Sequence, residues 1–298
     1  MNKKRLCILI AILLSFALVS CEFFPALPSS EESSEESISP EILDKLTVRF
    51  LDIGQGDSIL LEFSDGKFLL IDAGVYTNKK AVLNNLDKYG VKELEYMVLT
   101  HFDADHIGAA AEVINGYTVK NVIMPDSAAT TKTFDNLLTA LENHEEVKVI
   151  KGEAGLKFEV NGAKFEVISP FDTHGKTANE TSVVILMTYS DIKMLFMGDA
   201  EVENEEEILN RYTSGYIKAD LIKIGHHGSA TSSSRVFLQA VSPKYAVISC
   251  GRDNQYKHPH QVTLDSLADL NITCYRTDLQ GTITVNTDGV DLTISVEY

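Results

Sequence analysis

Positive charge is what this sequence has too little of: 26 lysine and arginine residues stand against 43 aspartate and glutamate, a formal net charge of −17. The deficit excludes a broad basic face that would hold a polyanion by counterion release, although local capture by metal stays open. Membrane-spanning segments in series are also lacking, which excludes a transport channel. No repeat recurs at a solenoid period. Cysteine is scarce, four in all. Setting aside Cys7 and Cys21 near the N-terminus leaves Cys250 and Cys274, each in an apolar strand-like run, either paired or as buried free thiols. What the chain does have is 298 residues with 44% hydrophobic content, enough for one large domain or two small ones with a sizeable core.

The first twenty residues do not belong to that core. Lys3, Lys4 and Arg5 precede an apolar run over 6–19 that is short for a membrane span, and Leu18-Val19-Ser20-Cys21 closes it with small residues before a cysteine. This pattern resembles a bacterial lipoprotein signal, and the resemblance implies that Cys21 is the lipidated first residue of the mature chain. An ordinary secretory signal or an uncleaved anchor would equally place the folded part outside the cytoplasm. Residues 21–45, with Pro25, Pro28 and the run 29–37 of serine and glutamate, lack the apolar content to pack and read as an extended tether. The folded domain is therefore expected over 46–298.

Within that domain, strands alternate with helices. Residues 46–53 alternate in polarity up to a tight glycine loop, Gly54-Gln55-Gly56-Asp57, and strands at 58–63 and 67–71 flank the hairpin signal Ser64-Asp65-Gly66. A helix is expected over 78–89, stopped by Gly90, then a strand to Leu99. Further strands read at 119–124, 147–150, 220–224, 245–249 and 272–275, with helices at 133–142 and from 201 to about Tyr212. Hairpins turn at Asn161-Gly162, Ser190-Asp191 and Asp288-Gly289. So many hairpins, with helices spread between, point to an α/β fold of two packed mixed sheets flanked by helices rather than to a doubly wound parallel sheet.

The densest chemistry lies in Thr100-His101-Phe102-Asp103-Ala104-Asp105-His106-Ile107-Gly108, directly after a buried strand. Alternation separates His101, Asp103 and Asp105 from Phe102 and Ala104, so the three can point one way from an extended loop. Imidazole with carboxylate is the donor set for zinc, manganese or iron. A solvated loop capping a helix would need one such residue, not four. Other polar groups recur at strand ends: Asp72, Asp199, His226-His227 and His258-Pro259-His260.

These pieces carry a resemblance. The segments 50–57, 70–74, 100–108, 179–183, 195–199, 221–229 and 258–260, in that order, resemble a metallo-β-lactamase-fold hydrolase, most closely the extracellular domain of the competence protein ComEC and its stand-alone relatives. The likeness runs from about Leu46 to the C-terminus. It implies an αββα sandwich and a dinuclear site taking two divalent ions, zinc or manganese. His101 and Asp103 would hold one ion, Asp105 and His106 the other, and Asp199 would bridge them. His226 is preferred over His227 to complete the second, with His227 left open. Asp103 stands where the wider superfamily has a histidine, and Asn179-Glu180-Thr181-Ser182 stands where it supplies another, with His174 several residues early. The first site is thus oxygen-rich, which favours manganese or partial occupancy. Lys223, His258 and His260 are further candidates, the cationic ones for neutralising phosphate charge or protonating a leaving alkoxide. Asp57 and Asp72 read as braces of the ligand loop.

The resemblance implies metal-activated hydroxide attacking a phosphodiester, with Asp105, Asp199, Lys223 and His258 as the catalytic set. DNA is one substrate so implied; a cell-envelope polymer such as decorated teichoic acid is the other. A surface lipoprotein that binds metal or ligand without turnover is the non-enzymatic alternative, and no protein partner is indicated. The lipid anchor on Cys21 has its own test. A Cys21→Ser chain expressed in a bacterium should lose incorporation of radiolabelled palmitate and leave the membrane fraction; unchanged labelling would refute the lipidation.

Overall fold

The computed structural model describes residues 45–298; the expected signal, Cys21 and all but the last residue of the tether lie outside the described residues. From Lys45 onward, alternation decides which way each strand faces. In β1 (Leu46–Phe50) the residues Leu46, Val48 and Phe50 are buried while Thr47 and Arg49 are partly exposed, the period of two that a half-buried strand requires. β2 (Ile59–Glu62) and β3 (Phe68–Ile71) continue the sheet antiparallel, and β4 (Glu93–Val98), β5 (Thr118–Met124) and β6 (Lys148–Lys151) extend it in parallel.

The second sheet mirrors this division. β7 (Lys157–Val160), β8 (Ala163–Ser169), β9 (Val184–Tyr189) and β10 (Ile192–Phe196) run antiparallel, then β11 (Leu221–Lys223), β12 (Tyr245–Ile248) and β13 (Thr273–Arg276) run parallel. The chain returns to the first sheet with β14 (Ile283–Thr287), paired to β1, and β15 (Leu292–Val296) at its edge. Both sheets are therefore mixed.

Three apolar layers hold the sandwich together. Between the sheets lie Val48, Phe50, Leu61, Phe165, Ile185, Met187 and Phe196 from both. Under α1 (Lys79–Lys88), α2 (Ala110–Gly116) and α3 (Lys132–Asn143), the outer face of the first sheet packs Leu70, Met97 and Val122 against Val82, Leu86, Val113 and Leu137. On the outer face of the second, α4 (Val202–Arg211), α5 (Ser214–Ile217), α6 (Arg235–Val241) and α7 (Gln261–Asp269) contribute Ile208, Ile217, Phe237 and Leu267. The order is helix, sheet, sheet, helix: the expected αββα sandwich. α6 and α7 were not anticipated; both are short, and in α7 the apolar Val262 faces solvent while Thr263 is buried, so no clean stripe marks it. Among the described residues no helix is long and apolar enough to cross a membrane.

In both sheets the parallel strands end on the edge where the polar segments cluster, the usual place for a ligand crevice. The backbone of Val183 donates to the Thr100 carbonyl at 2.8 Å, tying the start of β9 in one sheet to the loop after β4 in the other.

Phe165 is buried between the sheets, its ring 4.8 Å from Phe158 and 6.4 Å from Phe63. Phe165→Ala should lower stability by about 3–5 kcal/mol in urea denaturation. A loss near zero would mean that the two sheets do not pack as described.

Candidate metal centre

The loop after β4 is clamped from both sides. Asp57 donates its amide to the Asp105 carbonyl (3.2 Å), and Ala73 donates to the His106 carbonyl (2.6 Å). Gly56, at φ +120°, passes so close that a Cβ there would lie 2.2 Å from the Asp105 carbonyl oxygen. Only glycine allows both the conformation and the approach.

Asp72, fully buried at the end of β3, orients the ligands. Its carboxylate accepts the Thr100 amide (2.8 Å), the Thr100 hydroxyl (2.7 Å) and Nδ1–H of His106 (2.8 Å). The Thr100 oxygen in turn accepts Nδ1–H of His101 at 3.1 Å. Both imidazoles thereby carry their proton on Nδ1 and turn a bare Nε2 inward, the arrangement a metal-binding histidine needs. Nε2 of His101 is buried with no hydrogen-bond partner, as is Oδ1 of Asp199. Orphaned acceptors of this kind are costly unless something electropositive meets them.

Asp199 follows β10, and His226-His227 follow β11. His226 and His227 both sit at left-handed backbone angles, φ 45° and 52°, a strained pairing for two non-glycine residues. The turn sends adjacent rings in different directions, 69° apart in plane. His227 goes inward: its Nδ1–H donates to the Ser249 carbonyl at 2.9 Å. Its Nε2 lies 3.3 Å from Nε2 of His106, 3.3 Å from Oδ2 of Asp105 and 3.4 Å from Oδ2 of Asp199, while Nε2 of His106 is 3.2 Å from Oδ1 of Asp199. Donors at about 2.0–2.1 Å from a tetrahedral ion stand about 3.3–3.4 Å from one another. His106, Asp199 and His227 thus fit one divalent ion, with Asp105 against His227 to offer a further oxygen, and of the two adjacent histidines it is His227, where His226 was expected, whose Nε2 reaches the others.

His101 and Asp103 stay beside this set, with Nε2 of His101 3.8 Å from Oδ2 of Asp103 and the His101 and His106 rings 4.1 Å apart. They fit a second ion loosely, since the Asp103 side chain is half-exposed. His226 is held by Glu201, whose Oε1 is 2.9 Å from Nδ1, and keeps Nε2 3.8 Å from Asp199. Glu201 was missed; its only signal was its place two residues after Asp199. Asn179 sits against Glu201 and His226, at 3.3 and 3.4 Å, so the segment lacking a histidine still reaches the site, supplying an amide. His174 is exposed.

Lys223 requires a correction. It was expected to meet substrate phosphate, but it is fully buried, with Nζ on the Asp57 carboxylate and 3.1 Å from the Gly198 carbonyl. It positions Asp57 instead of touching substrate. Asp57 can offer an oxygen within 4.8 Å of ligand atoms of His106, Asp199 and His227. Yet it approaches both rings from the Nδ1 side, at 3.9 and 3.4 Å, so it braces them from behind. His258 stays at the site, its ring 5.3 Å from that of His226. His260 accepts the Ala230 amide through Nδ1 at 2.8 Å and is structural. Cys250 and Cys274 are free thiols, which burial pushes up to about 12 and about 11.

The buried charges do not balance by themselves. Asp57, Asp72 and Asp199 face one ammonium, Lys223. Burial opposes charge on His106 and His227, but Asp199 next to both, with Asp72 beside His106 and Asp105 and Asp57 beside His227, raises them well above the ordinary value. The same two rings outweigh burial at Asp199 and hold its carboxyl well below the usual range. His101, by contrast, is lowered to about 3 by burial and by His106 beside it, and so stays neutral. Positive charge is what the cluster attracts, as protons or as a dication.

Comparison with known proteins agrees with the geometry. A profile described as "Metallo-beta-lactamase superfamily" matches residues 51–252. The chain is similar to ComE operon protein 3 of Bacillus subtilis, 32% identical over 83% of this chain and 34% of that protein. It is also similar to competence protein ComA of Neisseria gonorrhoeae, 30% identical over 83% of this chain and 33% of that one. Recombination protein 2 of Haemophilus influenzae is 32% identical over 79% and 28%. The chain thus spans about a third of the length of these curated relatives. Among solved structures, the metallo-beta-lactamase fold protein YhfI from Bacillus subtilis superposes with a TM-score of 0.54 at 13% identity, over 82% of this chain and all of that one. CmlA, a diiron beta-hydroxylase from Streptomyces venezuelae, gives 0.56 at 14%, over 81% and 54%. At such identities the likeness shows the fold alone.

His227→Ala should reduce affinity for manganese or zinc, measured by calorimetry, far more than His226→Ala does. Because protons compete for the same Nε2 atoms, affinity should climb as pH rises from about 6.5 through the raised values of His106 and His227. Equal losses in the two variants, or affinity flat with pH, would contradict this ligand set.

Proposed function

Since the chain belongs to the metallo-beta-lactamase superfamily, with ComEC-like competence proteins among its relatives, we propose that it is a metal-dependent phosphodiesterase working outside the cytoplasm, tethered by lipid on Cys21. The observation supporting this most is the meeting of His106, Asp199 and His227 at ligand spacing, with Asp105 against His227 and His101 and Asp103 alongside. When bound, divalent ions in such a site polarise a phosphoryl oxygen, lower the pKa of water and steady the attacking and leaving oxygens.

The protein's own groups divide the remaining work. Asp72 and Ser249 fix the tautomers of His106 and His227, and Lys223 neutralises Asp57 behind them. Asp105 and Asp199 supply the negative donors. His226, its Nδ1–H on Glu201, presents Nε2 at the open side of the cluster, its side chain 24% exposed. That open side is where a leaving alkoxide would emerge towards solvent, within reach of a proton from water. His258, next to that ring and with burial lowering it to about 4, stays neutral and serves as a hydrogen-bonding wall, not as the acid.

Cleavage of bis(p-nitrophenyl) phosphate should be stimulated by manganese or zinc and fall to background in Asp105→Ala and in Asp199→Ala. Tight metal binding with no turnover of any ester would leave a non-catalytic binding module in its place.

A further inference from the structure

Beside Asp105 the surface opens into a cavity of about 360 Å³, within the range that takes a small organic group. Its walls include Val75, Ala104, Thr77 and the ring of Tyr256, with Gln55 and Gln255 at the polar margin, and Asp105 is the one carboxylate lining it. Tyr256 is 52% exposed, a large aromatic left in water next to the candidate metal centre. Its ring stacks on His258 at 5.6 Å and 24°, and His258 in turn meets His226. The loop carrying Tyr256 is tied down by Asn254, which bonds the His258 amide (2.9 Å), the His258 carbonyl (2.6 Å) and the Gly251 carbonyl (2.9 Å). Gln55 accepts the Gly251 amide through Oε1, while its Nε2 is buried without an acceptor.

An exposed ring held in place by its loop, with apolar flanks beside it, suits a flat heterocycle. It does not suit a polyol, whose hydroxyls would need many partners. We propose that this cavity is a base-stacking subsite: the nucleobase next to the scissile phosphate lies on Tyr256, which makes the substrate a single-stranded nucleic acid. The inference deepens the phosphodiesterase reading and rests on it for the position of the phosphate.

The test separates the two readings by using binding as well as turnover. The full chain with manganese is titrated with a phosphorothioate-linked dinucleotide carrying 2-aminopurine, whose fluorescence drops on stacking, with an abasic dinucleotide of equal charge as competitor. Tyr256→Ala should weaken binding of the base-bearing dinucleotide about tenfold or more and leave the abasic one unchanged, and Tyr256→Phe should restore both quenching and affinity. Equal effects on the two dinucleotides, no quenching with the unaltered chain, or a glycerol-phosphate oligomer bound as tightly would overturn the subsite. Quenching that depends on Tyr256 without hydrolysis of any ester would keep the subsite and refute the phosphodiesterase.

Discussion

Ionised groups between two β-sheets are tolerable only when each meets a partner, and that constraint organises this molecule. Asp72 meets it by accepting three hydrogen bonds from the very loop it must hold, two from Thr100 and one from His106. Asp57, from the first sheet, meets it by pairing with Lys223 of the second. The first interaction fixes the ligand loop and its tautomers. The second crosses the sandwich and sets how close the two sets of ligands come. Among the described residues the Asp199 carboxylate faces imidazoles, those of His106, His227 and, further off, His226, and it is there that an outside cation would complete the balance.

Strain gathers at the same place. Asp72, His226 and His227 all hold left-handed backbone angles, each costing of order 1–3 kcal/mol. The apolar layers on either side of both sheets supply the rigidity that keeps those turns from relaxing. Without the tight approach of Gly56 to the Asp105 carbonyl, the ligand loop could not lie flat against the sheet edge. Fold and site are therefore one design: parallel strand ends from two sheets deliver preset donors to a shared point.

Much of this was legible in the chain. Hairpin turns at Asn161-Gly162 and Ser190-Asp191 and the buried run before His101 specify local geometry directly, so most strands fell where alternation placed them. Ligand types were legible because four donors crowd into six positions. The choice between His226 and His227 was not, since nothing in two adjacent identical residues tells which one a left-handed turn directs inward. Lys223 was read as a group for substrate phosphate because nothing near it in sequence reveals its partner, Asp57, 166 positions away. Glu201 and Ser249 act on histidines across loops, and such pairings leave no periodic trace. α6 and α7 escaped because helices of seven and nine residues leave a weak amphipathic signal.

A buried cluster of this donor chemistry should take a divalent ion when one is offered. Anomalous diffraction from crystals grown with manganese or zinc tests that most directly. The expected result is a strong peak about 2.0–2.2 Å from Nε2 of His106, Nε2 of His227 and a carboxylate oxygen of Asp199, with a weaker one between His101 and Asp103. Strong peaks only elsewhere on the protein, with His106 and His227 closed onto Asp199 as protonated ion pairs, would contradict it.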